Sequence, residues 1–152
     1  MTTIIIKPGN EKFCMAVFES SETSVMLAKV FFAENEPEII DLLSNYKPED
    51  VESLLFDGSV YAQTAAGIRE KTSLPVRIFK EKKEKADVHD RIEAQREWLA
   101  SNMKYNSEMK NDPHYAHFIR LLSDYNPNNP NGDTTAAGLM AAAARFFRRM
   151  NF

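Results

Sequence analysis

The spacing of apolar positions changes along the chain from a strand period to a helical one. Thr3, Ile4, Ile5 and Ile6 are β-branched and mostly apolar, which predicts an opening strand. Lys7-Pro8-Gly9-Asn10 ends it, because proline and glycine together mark a turn. In residues 12–18, Phe13, Met15 and Val17 alternate with Cys14, Ala16 and Phe18, which predicts a second strand. Residues 20–24 form a polar turn, and 25–32 predict a third strand. These three make an antiparallel meander. From 34 to 46 the period lengthens: Ile39, Ile40, Leu42 and Leu43 share a helical face, with Pro37 in the first turn. After a linker at 47–50, residues 51–56 return to a strand. Leu54-Leu55-Phe56 runs straight into Asp57-Gly58-Ser59, the mark of a strand buried on both faces.

Residues 60–71 predict a helix with Tyr61, Ala65 and Ile68 on one side, and 74–79 a fifth strand. A charged hexad at 80–85 leads into a long helix over 86–103, where Val88, Ile92, Gln95, Trp98 and Leu99 fall at helical spacing. Phe118, Ile119, Leu121 and Leu122 mark another helix over 113–125. Residues 126–131 are a proline and asparagine loop. Gly132-Asp133-Thr134-Thr135 starts the last helix, filled by 136–147. The order β-β-β-α-β-α-β followed by three helices predicts an α/β fold. It has a mixed five-stranded sheet flanked by helices, a helical C-terminal half, and one domain over 1–152.

Composition narrows the function without naming it. The chain has 152 residues, 43% hydrophobic and 27% charged, enough to bury a core. Its net charge of −3 gives no overall field favouring nucleic acid or membrane, so any basic contact has to be local. The lone cysteine, Cys14, excludes an internal disulfide and reads as a core thiol. No basic-then-apolar leader and no apolar run of ~18 residues is present, so the expected compartment is a cytoplasm, with no membrane partner.

Candidate chemistry gathers at strand ends and helix starts. In open α/β sheets the ligand site lies beyond the carboxyl ends of the strands, where Asp57 sits. A turn with Asp57 capping the next helix accounts for the same residues. Lys7-Pro8-Gly9 is a tight turn, or it offers Lys7 to a phosphate as a point charge. Lys80, Lys82, Lys83 and Lys85 are diluted by Glu81 and Glu84. They read as a solvated helix start, or as nucleic-acid backbone contacts aided by Arg77 and Arg91. His114 and His117 share a helix face, but no cysteine supports zinc there. His89 lies near the start of the long helix, within conceivable reach of Asp57 or Asp133. Asp133 caps the last helix. Gly132-Asp133-Thr134-Thr135-Ala136-Ala137-Gly138 is also similar to a segment of ribokinase-like sugar kinases, whose fold needs a longer chain. Arg145, Arg148 and Arg149 suit a helix C-terminus. Mixed with Phe146, Phe147 and Phe152, they also suggest a docking surface for a partner or a homodimer.

The element order and three short motifs resemble the ribonuclease H-like superfamily, over nearly the whole chain. Ile5-Ile6-Lys7-Pro8-Gly9 is similar to the first-strand Ile-Asp-Pro-Gly motif of RuvC Holliday-junction resolvases. Tyr46-Lys47-Pro48-Glu49-Asp50-Val51, followed by Leu54-Leu55-Phe56-Asp57, resembles that family's run into its central strand. Asp133 opens a small-residue helix where resolvases and phage terminase large-subunit nucleases carry their last acids. Lys85 and Arg91-Ile92 also resemble the terminase nucleases. The resemblance implies a phage-type nucleic-acid-processing protein with DNA as partner, in the host cytoplasm if phage-encoded. It implies metal-dependent phosphodiester cleavage, with Asp57 and Asp133 as catalytic carboxylates holding Mg²⁺ or Mn²⁺. It also implies nucleic-acid contacts from Lys7, Lys80, Lys82, Lys83, Lys85 and Arg91. The chain departs from the pattern where the first acid is Lys7, and where Thr135-Ala136-Ala137 stands in place of a further acid. That departure implies the alternative: a catalytically inactive nuclease-fold protein that binds nucleic acid or a protein partner.

Overall fold

The computed structural model describes residues 1–9, 12–57, 62–79, 88–129 and 132–150. Strands β1 (Thr2–Pro8), β2 (Phe13–Ser20) and β3 (Val25–Ala33) form the expected antiparallel meander. Helix α1 (Glu36–Leu43), strand β4 (Val51–Asp57), helix α2 (Ala62–Thr72) and strand β5 (Val76–Phe79) follow. Then come α3 (Val88–Glu93), α4 (Arg96–Asn102), β6 (Met103–Tyr105), α5 (Pro113–Asp124) and α6 (Thr135–Arg149). The sheet order is β5-β4-β1-β2-β3-β6. β4 runs parallel to β1, β5 parallel to β4, and β6 parallel to β3.

Alternation along the strands divides the apolar side chains between two cores. Ile5, Cys14, Ala16, Phe18 and Leu55 face Phe118 of α5 and Leu139, Met140 and Phe147 of α6. Ile4, Ile6, Met15, Val17, Leu54 and Phe56 face Ile39 and Leu43 of α1 and Ala65 and Ile68 of α2. β1 is therefore buried from both sides, with Ile4, Ile5 and Ile6 all at 0% exposure. Each such side chain contributes about 1.5–3 kcal/mol relative to leaving it in water.

The sheet has six strands, where the sequence pattern predicts five, and the expected helix over 86–103 is divided. Side-chain and strand contacts accompany both differences. Gln95, buried at the division, accepts from Arg148 Nη1 at 2.8 Å, which ties it to α6. Asn102 turns its amide back to the Trp98 carbonyl at 2.9 Å, and α4 ends there. Met103 then enters the core at the edge of β3. The apolar spacing runs unbroken across both points, so periodicity alone could not reveal them. Phe147 is buried against Phe18, and Phe146 packs edge-on against Phe147 at 5.2 Å, so both rings meet this chain's own core. Phe152 lies outside the described residues. No helix among the described residues is long and apolar enough to cross a membrane.

Helix α5 is fixed to the sheet at its first turn. Asp112 accepts the Tyr115 N–H at 3.0 Å and Pro113 presets the helix start. The buried Tyr115 hydroxyl donates to the Leu27 carbonyl at 2.7 Å and accepts from the Asn106 N–H at 2.8 Å. Burial holds this phenol above its ordinary pKa, so the neutral, donating form persists. Tyr115→Phe removes both bonds while keeping the ring, at a cost of about 1–3 kcal/mol. In a thermal melt the midpoint is expected to fall by roughly 2–12 °C. An unchanged midpoint would show that the two bonds do not hold α5 in place.

Candidate functional site

β1 and β4 are parallel neighbours, so both finish at the same edge of the sheet. Ile6 pairs with Phe56, and one position further Lys7 and the backbone of Asp57 come side by side. Asp57 also pairs with Phe79, the last residue of β5. On its other side Lys7 pairs with Cys14 of β2.

α6 closes over this edge because two glycines allow it. A methyl group built on Gly138 would lie 3.0 Å from Lys7 Cε and 3.5 Å from Nζ. One built on Gly9 would lie 2.7 Å from the Lys12 carbonyl oxygen and 3.2 Å from Thr135 Oγ1. The Gly9 N–H donates to that same Lys12 carbonyl at 2.8 Å, closing the turn after β1. The Lys7 side chain thus runs beside Gly138, where an added methyl would press on its far end.

Asp133 lies just before α6. Its Oδ1 accepts the Thr135 N–H at 2.8 Å, while the Thr134 side chain makes no capping bond. Asp133 therefore satisfies one of the free donors at the helix start, as the capping reading expects. Cys14 reports on both charges. Burial pushes its thiol well above the ordinary range, the Asp133 carboxylate pushes it further, and the Lys7 ammonium works against both. A buried, protonated thiol is neither nucleophile nor metal ligand. Lys7, paired with Cys14, thus stands at the end of β1 beside the last residue of β4.

Other expected residues fall elsewhere. Arg91 is in α3, whose Ile92 packs on Ala137 and Ala141 of α6. Lys80, Lys82, Lys83 and Lys85 lie outside the described residues. They follow directly on β5, whose last residue pairs with Asp57. The Nδ1 of His89 lies 2.8 Å from the Tyr125 hydroxyl, and the two rings stack at 5.7 Å. Among the described residues, no three of His, Cys, Asp and Glu come together as a set able to hold a metal ion. Lys7, at the end of β1, carries an ammonium, which has no lone pair while protonated. The described donor set does not fit a two-metal centre.

Beside this edge lies a groove of about 560 Å³, lined in part by Gly9, Lys12, Phe32, His114, His117 and Asp133. Sequence reading missed Phe32 and Lys12, and considered the histidines only as metal ligands. One usable signal was Gly138, since glycine inside a helix costs about 1 kcal/mol against alanine and so suggests a packing demand.

No protein-family model matches the chain, and no curated protein matches it in sequence. Solved structures do match. The large terminase of a thermophilic bacteriophage superposes with a TM-score of 0.66 at 13% identity, over 99% of this chain and 40% of that one. This chain therefore spans well under half of that terminase. The human cytomegalovirus terminase nuclease domain, soaked with Mn, gives 0.57 at 12% identity, over 96% and 81% of the two chains. RuvC of T. thermophilus in complex with a Holliday junction substrate gives 0.52 at 12%, over 99% and 96%. The fold is that of the ribonuclease H-like nucleases.

Gly138→Ala separates the two demands on α6. A methyl at 138 meets only the far end of a flexible lysine, so the helix is expected to gain about 0.5–1 kcal/mol while the ammonium shifts by a few tenths of an ångström. The melting midpoint should hold or rise. A clear fall would show that the Lys7 side chain cannot yield.

Proposed function

We propose that this chain is a nuclease-fold protein that holds a nucleic-acid backbone by direct charge, without a metal pair, at the carboxyl edge of β1 and β4. The observation that carries this reading is the place of Lys7. A cation sits on the central strand where the resemblance puts the pivotal carboxylate, with Gly138 leaving it room. A lysine at this edge serves a phosphate as a compact point charge. It also repels the divalent cations that two-metal cleavage requires.

The neighbours support nucleic acid as the partner, since one of them is described bound to a Holliday junction. In this reading Lys80, Lys82, Lys83 and Lys85, which follow β5 in the sequence, add to the basic contact, and Arg91 contributes from α3. Asp133 acts chiefly as the cap of α6. Binding then needs no divalent ion and falls with salt, because each neutralised phosphate releases counterions.

Fluorescence anisotropy with a labelled oligonucleotide in EDTA, across a salt series, tests this. The wild type should bind. Lys7→Ala should weaken binding uniformly across sequences and flatten the slope of log affinity against log salt by about 0.7–0.9, one phosphate's share. Unchanged affinity and slope in a folded Lys7→Ala protein would remove Lys7 from the interface.

A further inference from the structure

The groove beside Lys7 has one wall built of rings. Phe32, near the end of β3, stacks on His114 with centroids 6.0 Å apart and planes 16° apart. His117, one turn further along α5, approaches the same phenyl ring at 5.0 Å and 60°. The His114 ring is fixed in place, because its Nδ1 accepts the Phe32 N–H at 2.9 Å. Leu121 continues this wall, while Gly9 and Thr135 border the groove from the turn after β1 and the start of α6. Gly9, two residues after Lys7, therefore sets the ring wall beside the end of β1. Lys12, on the rim, forms an exposed pair with Glu34 at 3.5 Å, which solvent screens.

The groove is flat and apolar on one side, and its polar lining carries Lys12 on the rim and the Asp133 carboxylate before α6. Its volume, about 560 Å³, is that of a small-ligand site. Aromatic faces beside a cation suit a base attached to a phosphate, because every base presents a π-face for stacking. The histidines thus serve as ring surface rather than as metal ligands. We propose that the groove takes one unpaired nucleobase of a strand whose phosphate Lys7 holds. This rests on the nucleic-acid reading above and adds a preference to it. The bases of an intact duplex are stacked inside the helix and cannot enter, so the protein selects single strands or frayed ends.

The test is anisotropy on the full chain in EDTA with three probes: a labelled single strand, its duplex, and a same-length strand of abasic sugar-phosphate. The wild type should bind the single strand about tenfold more tightly than the abasic strand, within the range for stacking one base. The duplex should also bind more weakly than the single strand. His117→Ala, at an exposed position that leaves the fold intact by thermal melt, should remove most of the difference between normal and abasic strands without changing abasic affinity. Equal affinity for normal and abasic strands overturns the base site but leaves the phosphate reading standing. A base preference untouched by His117→Ala places the site elsewhere, and duplex bound as tightly as single strand excludes selection of unpaired bases. Failure to bind any probe overturns the nucleic-acid reading itself.

Discussion

The close approach of α6 to the middle of the sheet depends on side-chain size. Of its 15 residues, Ala136, Ala137, Ala141, Ala142, Ala143 and Ala144 are buried, and Gly138 admits Lys7. A helix buried on nearly every side has to be apolar all round, and here small residues meet several neighbours at once. The sheet lies on one side, Ile92 of α3 on another, and Leu122 of α5 on a third. Leu139, Met140 and Phe147 supply most of the burial energy, since alanine offers little area. The alanines supply proximity. Without it, the helix start carrying Asp133 would stand away from the end of β1, and neither the charged edge nor the groove beside it would exist.

That proximity shapes the chemistry. A carboxylate at the end of β1 under α6 would add to that of Asp133 before the helix, and carboxylates suit hard cations. An ammonium there is of the opposite sign, and at the Cys14 thiol it works against burial and the Asp133 carboxylate. In the proposed reading, a lysine rather than a carboxylate at this edge favours phosphate oxygen over divalent metal. The ring wall formed by Phe32, His114 and His117 lies outside this exchange, held by packing and by the bond between the Phe32 amide and the His114 ring. It gives the groove an apolar face that metal chemistry does not require.

Much of this was readable from the chain. The unbroken apolar run into Asp57 marked β4 as buried on both faces, β-branched residues marked β1 as a strand, and turn residues placed the ends at which Lys7 and Asp57 stand. The meander and the order of later elements followed from period and turn chemistry. What could not be read was tertiary in origin. The division between α3 and α4 depends on Gln95 meeting Arg148, 53 positions away. The strand β6 exists because β3 offers it an edge. Phe32 and His114 are 82 positions apart, and no local pattern announces that they stack. Lys7 was visible as a departure from a motif, but the space made for it by Gly138 appears only when α6 is laid on the sheet.

The measurement that bears most directly on the central claim is Mn²⁺ titration by calorimetry on the intact chain, paired with plasmid nicking in the same buffer. With Lys7 in the carboxylate's place, the account predicts no saturable Mn²⁺ binding and no nicking, in wild type and in Asp57→Ala alike. Saturable binding together with nicking in the wild type, both lost in Asp57→Ala, would establish a working metal nuclease and contradict it.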